Sequence, residues 1–219
     1  MIICKNVSYT YDSKKKVVKN VNMKLSSGKT GVLLGVAGSG KSTLLKCIGK
    51  NIVDYKGNIR TSDNCRYINH LPSFSDNFTG IEYVEMLLSL SDNKTNELVN
   101  NVIDSIGVRK DLNKSIKIIS SYTRKVLILL STLCLDKEII LIDEPFKGLD
   151  HKSQLLVLEL IKLLKSKGKT ILFSTSLFYY GFYLADELFL LNKGKIVHML
   201  NNFINEKEYE KQILDLLLN

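Results

Sequence analysis

"LLGVAGSGKSTLLK", residues 33–46, places a glycine-rich turn between an apolar run and a helix-forming run. Gly35-Val36-Ala37-Gly38-Ser39-Gly40-Lys41-Ser42 satisfies the pattern Gly-x-x-x-x-Gly-Lys-Ser/Thr, and Thr43 follows it. "TGVLLG" ahead of the turn reads as a buried strand and "KSTLLKCIGK" behind it as a helix, which is the context the pattern requires. Gly38 and Gly40 have no β-carbon, so the backbone can bend until successive N–H groups point inward at an anion. The following helix adds its positive end. Lys41 would reach the outer phosphates of a nucleotide, and Ser42 would offer its hydroxyl to a magnesium ion. The candidate cradle for ATP is therefore Gly35, Ala37, Gly38, Ser39, Gly40, Lys41, Ser42 and Thr43.

"EIILIDEPFKGLD", residues 138–150, carries the complementary half. Ile139 to Ile142 make a buried strand whose end presents two adjacent carboxylates in an apolar setting. Such a pair is costly unless a metal ion and a proton-transfer role occupy it. Asp143 is the candidate holder of the magnesium shell with Ser42. Glu144 points to the other side of the backbone and is the candidate group that polarises an attacking water.

The rest of the chain fits one large α/β fold. With 219 residues, 45% of them hydrophobic, the sequence can bury a sizeable core without disulfides. Cys4, Cys47, Cys65 and Cys134 show no Cys-x-x-Cys spacing and read as small core residues. The amino end has no apolar run long enough for a signal peptide, and "VLILLSTLCL" stops at Asp136, short of a bilayer span, so a cytosolic chain is expected.

A net charge of +9 suits an anionic partner. The lysines are spread out except for Lys14, Lys15 and Lys16, and no aromatic-interleaved basic stripe favours nucleic acid.

The first thirty residues alternate around a turn at Asp12 to Lys16 and predict an antiparallel hairpin, with short strands at "GNIRT" and "CRYIN". From about residue 72 to 137 apolar residues recur at helical spacing, predicting a helical subdomain within a single domain of residues 1–219. "EIILID", the helix "SQLLVLELIKLLKSKG" and "KTILFSTS" then alternate, as in a parallel sheet with crossovers. "DELFLLNKGKIVHML" reads as a hairpin, and Asn205 with Glu208 as a capping box for a last helix.

Together these features resemble the nucleotide-binding subunit of ATP-binding cassette (ABC) transporters over nearly the whole chain. The strongest match is "LIDEPFKGLD", where Gly148, Leu149 and Asp150 are similar to the family's dimer-contact loop. "FTGIEYVE" is similar to the start of its helical subdomain and "LNKGKIV" to its late hairpin. The resemblance implies the P-loop NTPase fold of ABC ATPase type: a parallel sheet core with antiparallel β and helical subdomains. It also implies ATP and Mg2+ as cofactors, and an aromatic ring stacking on adenine at Tyr11, with Tyr9 as the alternative.

Three family positions depart from the pattern. The Leu-Ser-Gly-Gly-Gln signature, which caps the γ-phosphate on the opposite subunit of an ATP sandwich, falls at "ISSYTRK", residues 119–125. Ser120 survives, Ser121 and Tyr122 replace both glycines, and Arg124 could compensate by charge. The switch histidine is replaced by Ser176, which cannot span the same distance or carry charge. The glutamine that touches magnesium and water falls at His70, which is equally well read as a loop histidine; His198 reads as a strand residue.

Two functions follow. One is a working ATPase subunit whose partner chain supplies an intact signature and whose membrane permease turns closure into transport, on the inner face of the cell membrane. The other is an ATP-binding regulatory or assembly module that acts by dimerisation. A heterodimer is expected, because a homodimer would set "SSYTR" against both nucleotides. A kinase lid of clustered arginines and the heptads of a DNA-repair ATPase are both missing.

Overall fold

A computed structural model describes residues 1–12, 16–69, 76–90 and 96–201. His70, Lys14, Lys15 and the Asn205–Glu208 capping box lie outside them, as does the side chain of His198. In chain order the elements are β1 (Ile2–Thr10), β2 (Lys16–Leu25), β3 (Thr30–Leu34), α1 (Lys41–Ile48), β4 (Lys56–Arg60) and β5 (Cys65–Ile68). Helices α2 (Gly80–Ser89), α3 (Asn96–Ser105), α4 (Arg109–Leu112) and α5 (Ser121–Cys134) follow. The chain continues through β6 (Ile139–Asp143), α6 (His151–Ser166), β7 (Thr170–Thr175), α7 (Phe178–Leu184), β8 (Glu187–Asn192) and β9 (Lys195–Asn201).

Alternating burial along β2 marks one wet and one dry face, and β1 pairs antiparallel with both β2 and β4. The second sheet has the order β5-β6-β7-β3-β8-β9. Every residue of β3 and β7 is buried, as are the first four of β6, and β6, β7, β3 and β8 run parallel to one another. Continuous apolar runs of this kind are what strands covered on both faces require. Helix α1 packs on β6, β7 and β2, and α7 on β3 and β7. One apolar core joins Val18, Leu25, Leu33, Leu44, Leu141 and Phe189. Burial pushes the Cys4 thiol up to about 12, with Cys47 adding to the effect, so Cys4 stays a neutral core side chain.

Chain contacts divide the molecule into two compact units. The first takes Met1–Tyr67, Glu138–Pro145 and the described residues from Lys165 onward; the second takes Ile68–Lys137 and Phe146–Leu164. The second unit thus draws on two stretches of chain. Within the second unit α5 packs against α2 and α3, and α2 against α4. Helix α2 starts with a full capping box: Glu82 N–H donates to Thr79 Oγ1, and Thr79 N–H to Glu82 Oε2 at 2.7 Å.

In the first unit, Asp186 ties the start of β8 to β3. Its Oδ2 accepts from Thr30 N–H at 2.8 Å, and its Oδ1 pairs with Lys165 at 3.0 Å. Burial opposes ionisation of this carboxyl, but the Thr30 amide and Lys165 outweigh it and hold it below its ordinary value. A depressed carboxyl contributes stability above its unfolded-state value and loses it as pH falls through the folded one. Asp186→Ala should therefore cost about 1–3 kcal/mol at pH 7. In urea unfolding, its difference from wild type should shrink as pH falls below about 4.

Candidate nucleotide-binding site

Gly35 to Thr43 curls from the end of β3 into the first turn of α1. Gly40 caps that helix at φ +107°, and Gly38 sits at φ +78°. A β-carbon on Gly40 would lie 2.7 Å from the Val17 carbonyl oxygen, and one on Gly35 would lie 2.3 Å from that of Leu191. The loop is held through Gly194, whose N–H donates to Ser39 O at 2.9 Å while its carbonyl accepts from Lys19 N–H at 2.8 Å. The late hairpin turn thereby fixes the loop's outer rim. The first turn of α1 contains no acidic residue of its own.

Lys41 is almost fully buried, and its ammonium donates to Gly35 O at 2.7 Å and Val36 O at 3.1 Å. The same ammonium lies 3.3 Å from Glu144 Oε1. Ser42 Oγ donates to Asp143 Oδ1 at 2.9 Å. Two side chains not anticipated from the sequence join them: Tyr67 donates to Asp143 Oδ2 at 3.2 Å, and Ser174 to Oδ1 at 2.5 Å. The signal for Ser174 was available, since a hydroxyl within the buried run "TILFST" needs a polar partner. Tyr67 stood in "CRYIN" without any mark of its role.

Hydroxyl and carboxylate are hard oxygen donors of the kind magnesium takes, and Ser42 and Asp143 present theirs together. Their chemistry fits that ion. Although Ser42 and Asp143 are 101 residues apart in the chain, the four groups Lys41, Ser42, Asp143 and Glu144 are thus neighbours at the carboxyl edge of the sheet, where open α/β sheets bind ligands.

Tyr11 is exposed, with its hydroxyl 3.3 Å from that of the buried Thr43. Tyr9 meets it edge-on with centroids 5.0 Å apart and is partly packed against the core. Ser176 is exposed at the end of β7, where the Thr175 hydroxyl accepts from Leu177 N–H.

In the second unit Ser120 caps α5, accepting from Thr123 N–H at 3.0 Å. Ser121 is exposed, and the Tyr122 hydroxyl is buried without a hydrogen-bond partner. The guanidinium of Arg124 donates to the Ile116 carbonyl. Gly148 sits at φ +75°, Leu149 N–H bonds to Phe146 O, and Asp150 caps α6 by accepting from Ser153 N–H and Oγ. The Ser153 amide and hydroxyl hold the Asp150 carboxyl below its ordinary value.

A strand, a glycine-rich turn around a buried lysine, a helix, and an aspartate at the end of a neighbouring parallel strand define a P-loop nucleotide-binding fold. The sequence profile of the ABC transporter family matches residues 18–147, and the chain belongs to that family as an ATP-binding, ATPase subunit.

The uncharacterized ABC transporter ATP-binding protein YthP of Bacillus subtilis is 27% identical over 85% of this chain and 80% of its own. The xylose/arabinose import ATP-binding protein XylG of Sulfolobus acidocaldarius is 28% identical over 83% and 81%. A relative from Treponema denticola is 27% identical over 98% of this chain, which spans about half (46%) of that protein's length.

Among solved structures, the ATP-binding subunit of an ABC transporter superposes with a TM-score of 0.83 at 20% identity, over the full length of both chains. A dimeric ATP-binding cassette bound to ADP and Pi gives 0.76 at 21% identity, over 93% of this chain and all of the other. These likenesses carry the fold.

Gly40→Ala would force a side chain into a left-handed backbone and against Val17. The expected loss is about 1–2 kcal/mol from the backbone alone, read as a lower urea midpoint, together with weakened nucleotide binding.

Proposed function

We propose that this chain binds MgATP in the Gly35–Thr43 cradle and hydrolyses it as one half of a two-chain ATP sandwich that drives a separate membrane permease. The observation that carries the reading is the convergence of Lys41 and Ser42 with Glu144 and Asp143 at 3.3 and 2.9 Å. Loop amides and the start of α1 receive the phosphates, and Lys41 turns from Gly35 O and Val36 O to their outer oxygens. Magnesium, held by Ser42 and Asp143, neutralises charge on those oxygens when bound. Glu144 accepts a hydrogen bond from the attacking water and orients it. Tyr11, the more exposed ring of its pair, lies against adenine. His70 is kept as a candidate near magnesium and the water, and Ser176 as the shortened switch position.

The partner is a second nucleotide-binding chain with an intact signature, approached through Gly148, Leu149 and Asp150. With Ser121 and Tyr122 in place of glycines, this chain's own signature presents a ring where close backbone approach to phosphate is wanted. Catalysis of phosphoryl transfer is mainly positioning and charge stabilisation, so such a change slows turnover and leaves binding intact. The active assembly is therefore a heterodimer on the cytoplasmic face of a membrane, without nucleic acid.

Calorimetry in magnesium buffer should show firm ATP binding that Lys41→Ala weakens by at least about tenfold, equivalent to ~1.4 kcal/mol. No affinity for adenine nucleotides in the wild type would overturn the reading. Glu144→Gln should keep binding and reduce the already slow hydrolysis to background. In mass measurements with ATP, Glu144→Gln alone should stay monomeric, and adding Ser121→Gly with Tyr122→Gly should promote a symmetric dimer. A tight dimer without those two changes would count against the heterodimer.

A further inference from the structure

Ser174 has no part in the function proposed above, yet its hydroxyl joins the Asp143 carboxylate to the backbone amide of Glu144, the two residues on which that function rests. It lies on β7, the strand between β3 and β6, in register with Leu33 on one side and Asp143 on the other. The residue is completely buried. Its Oγ accepts from the backbone N–H of Glu144 at 2.9 Å and donates to Asp143 Oδ1 at 2.5 Å. The chain of donors thus runs one way, from the Glu144 amide through the Ser174 hydroxyl to the Asp143 carboxylate. Glu144 itself sits at φ +47°, a conformation unusual for a residue with a side chain, and its amide is the group Ser174 holds.

We infer that Ser174 is a positioning residue of the ATPase site. One hydroxyl fixes the rotamer of the aspartate beside Ser42 and the left-handed turn that aims Glu144 at the phosphate side of the loop. It touches neither nucleotide nor water and acts only through its two neighbours. Neither threonine nor alanine is equivalent in both respects: alanine loses the donor and the acceptor together, whereas threonine keeps both and adds a methyl group.

The inference rests on the proposed roles of Asp143 and Glu144, and its test separates the two. Amide hydrogen exchange at Glu144 is read in nucleotide-free protein, in the wild type, in Ser174→Ala and in the isosteric pair Ser174→Thr and Ser174→Val. Ser174→Ala and Ser174→Val should speed exchange at Glu144 by at least about tenfold, the loss of one hydrogen bond, while the amides of β7 keep their rates. Ser174→Thr should stay near wild type.

The same variants are then titrated with magnesium at fixed ATP. Ala and Val should raise the magnesium concentration for half-maximal binding by about fivefold, leave affinity for magnesium-free ATP within twofold, and lower kcat by about tenfold with KM little changed. Unprotected exchange at Glu144 in the wild type would overturn the inference, whichever variants fold. Wild-type exchange and magnesium dependence in Ala and Val would do the same, as would a Thr variant that falls as far as Val. Failure of the wild type to bind MgATP would instead remove the proposed function, with the exchange result still standing as a statement about the loop.

Discussion

Two neighbouring carboxylates at the end of an apolar strand are the constraint from which the rest of this site follows. Residues Ile139 to Ile142 are buried, and the chain can end such a strand in Asp-Glu only if each charge finds compensation. Asp143 finds it in three hydroxyls, from Ser42, Tyr67 and Ser174. Glu144 finds it in the ammonium of Lys41. An ionised acceptor makes each of these bonds stronger than its neutral counterpart. The left-handed backbone at Glu144 breaks the extended geometry directly after Asp143, and the two carboxylates consequently meet different partners on one loop.

That compensation fixes the sheet order in turn. The glycine-rich loop leaves β3 and the aspartate ends β6, but β7 lies between them, so Ser42 can meet Asp143 only across the end of a third strand. A small residue is needed at that point, and a hydroxyl there can bond sideways to the carboxylate. Ser174 supplies both. The hairpin of β8 and β9 closes the other side through Gly194, which bonds to Ser39 and Lys19 at once. The loop is accordingly set before any ligand arrives, which is the condition for electrostatic stabilisation without reorganisation.

Much of this was legible in sequence because the decisive signals are local. Gly38, Gly40 and Lys41 declare the loop by spacing, and the apolar run before Asp143 declares a buried strand. Short elements without local signals were not legible. Helix α7 begins at Leu177 with no side-chain cap, and its run "FYYGFYL" has aromatic residues on every face. Helix α4 spans only Arg109–Leu112, again with no side-chain cap. Tyr67 and Ser174 escaped notice for another reason: their partner is 76 and 31 residues distant, and a hydrogen bond of that kind leaves no periodicity. The grouping of Phe146–Leu164 with the helical stretch in one compact unit likewise leaves no local mark in the sequence.

On the proposed reading of residues 119–125 as an altered signature, the scaffold of the segment stays while its side chains change. Ser120 still caps α5, so the helix starts where an intact signature would start it, and its amide ends remain ordered. What changes is the surface in front of that helix. Burial, with Asp111 and Asp150 nearby, pushes the Tyr122 phenol above its ordinary value, so it stays a neutral hydroxyl at physiological pH. Arg124 is turned inward onto Ile116. The start of α5 therefore carries a ring where the proposed role wants bare backbone, while the glycine-rich loop keeps the spacing of its motif. On the reading proposed above, that contrast between the glycine-rich loop and the start of α5 is the reason for proposing an unlike partner.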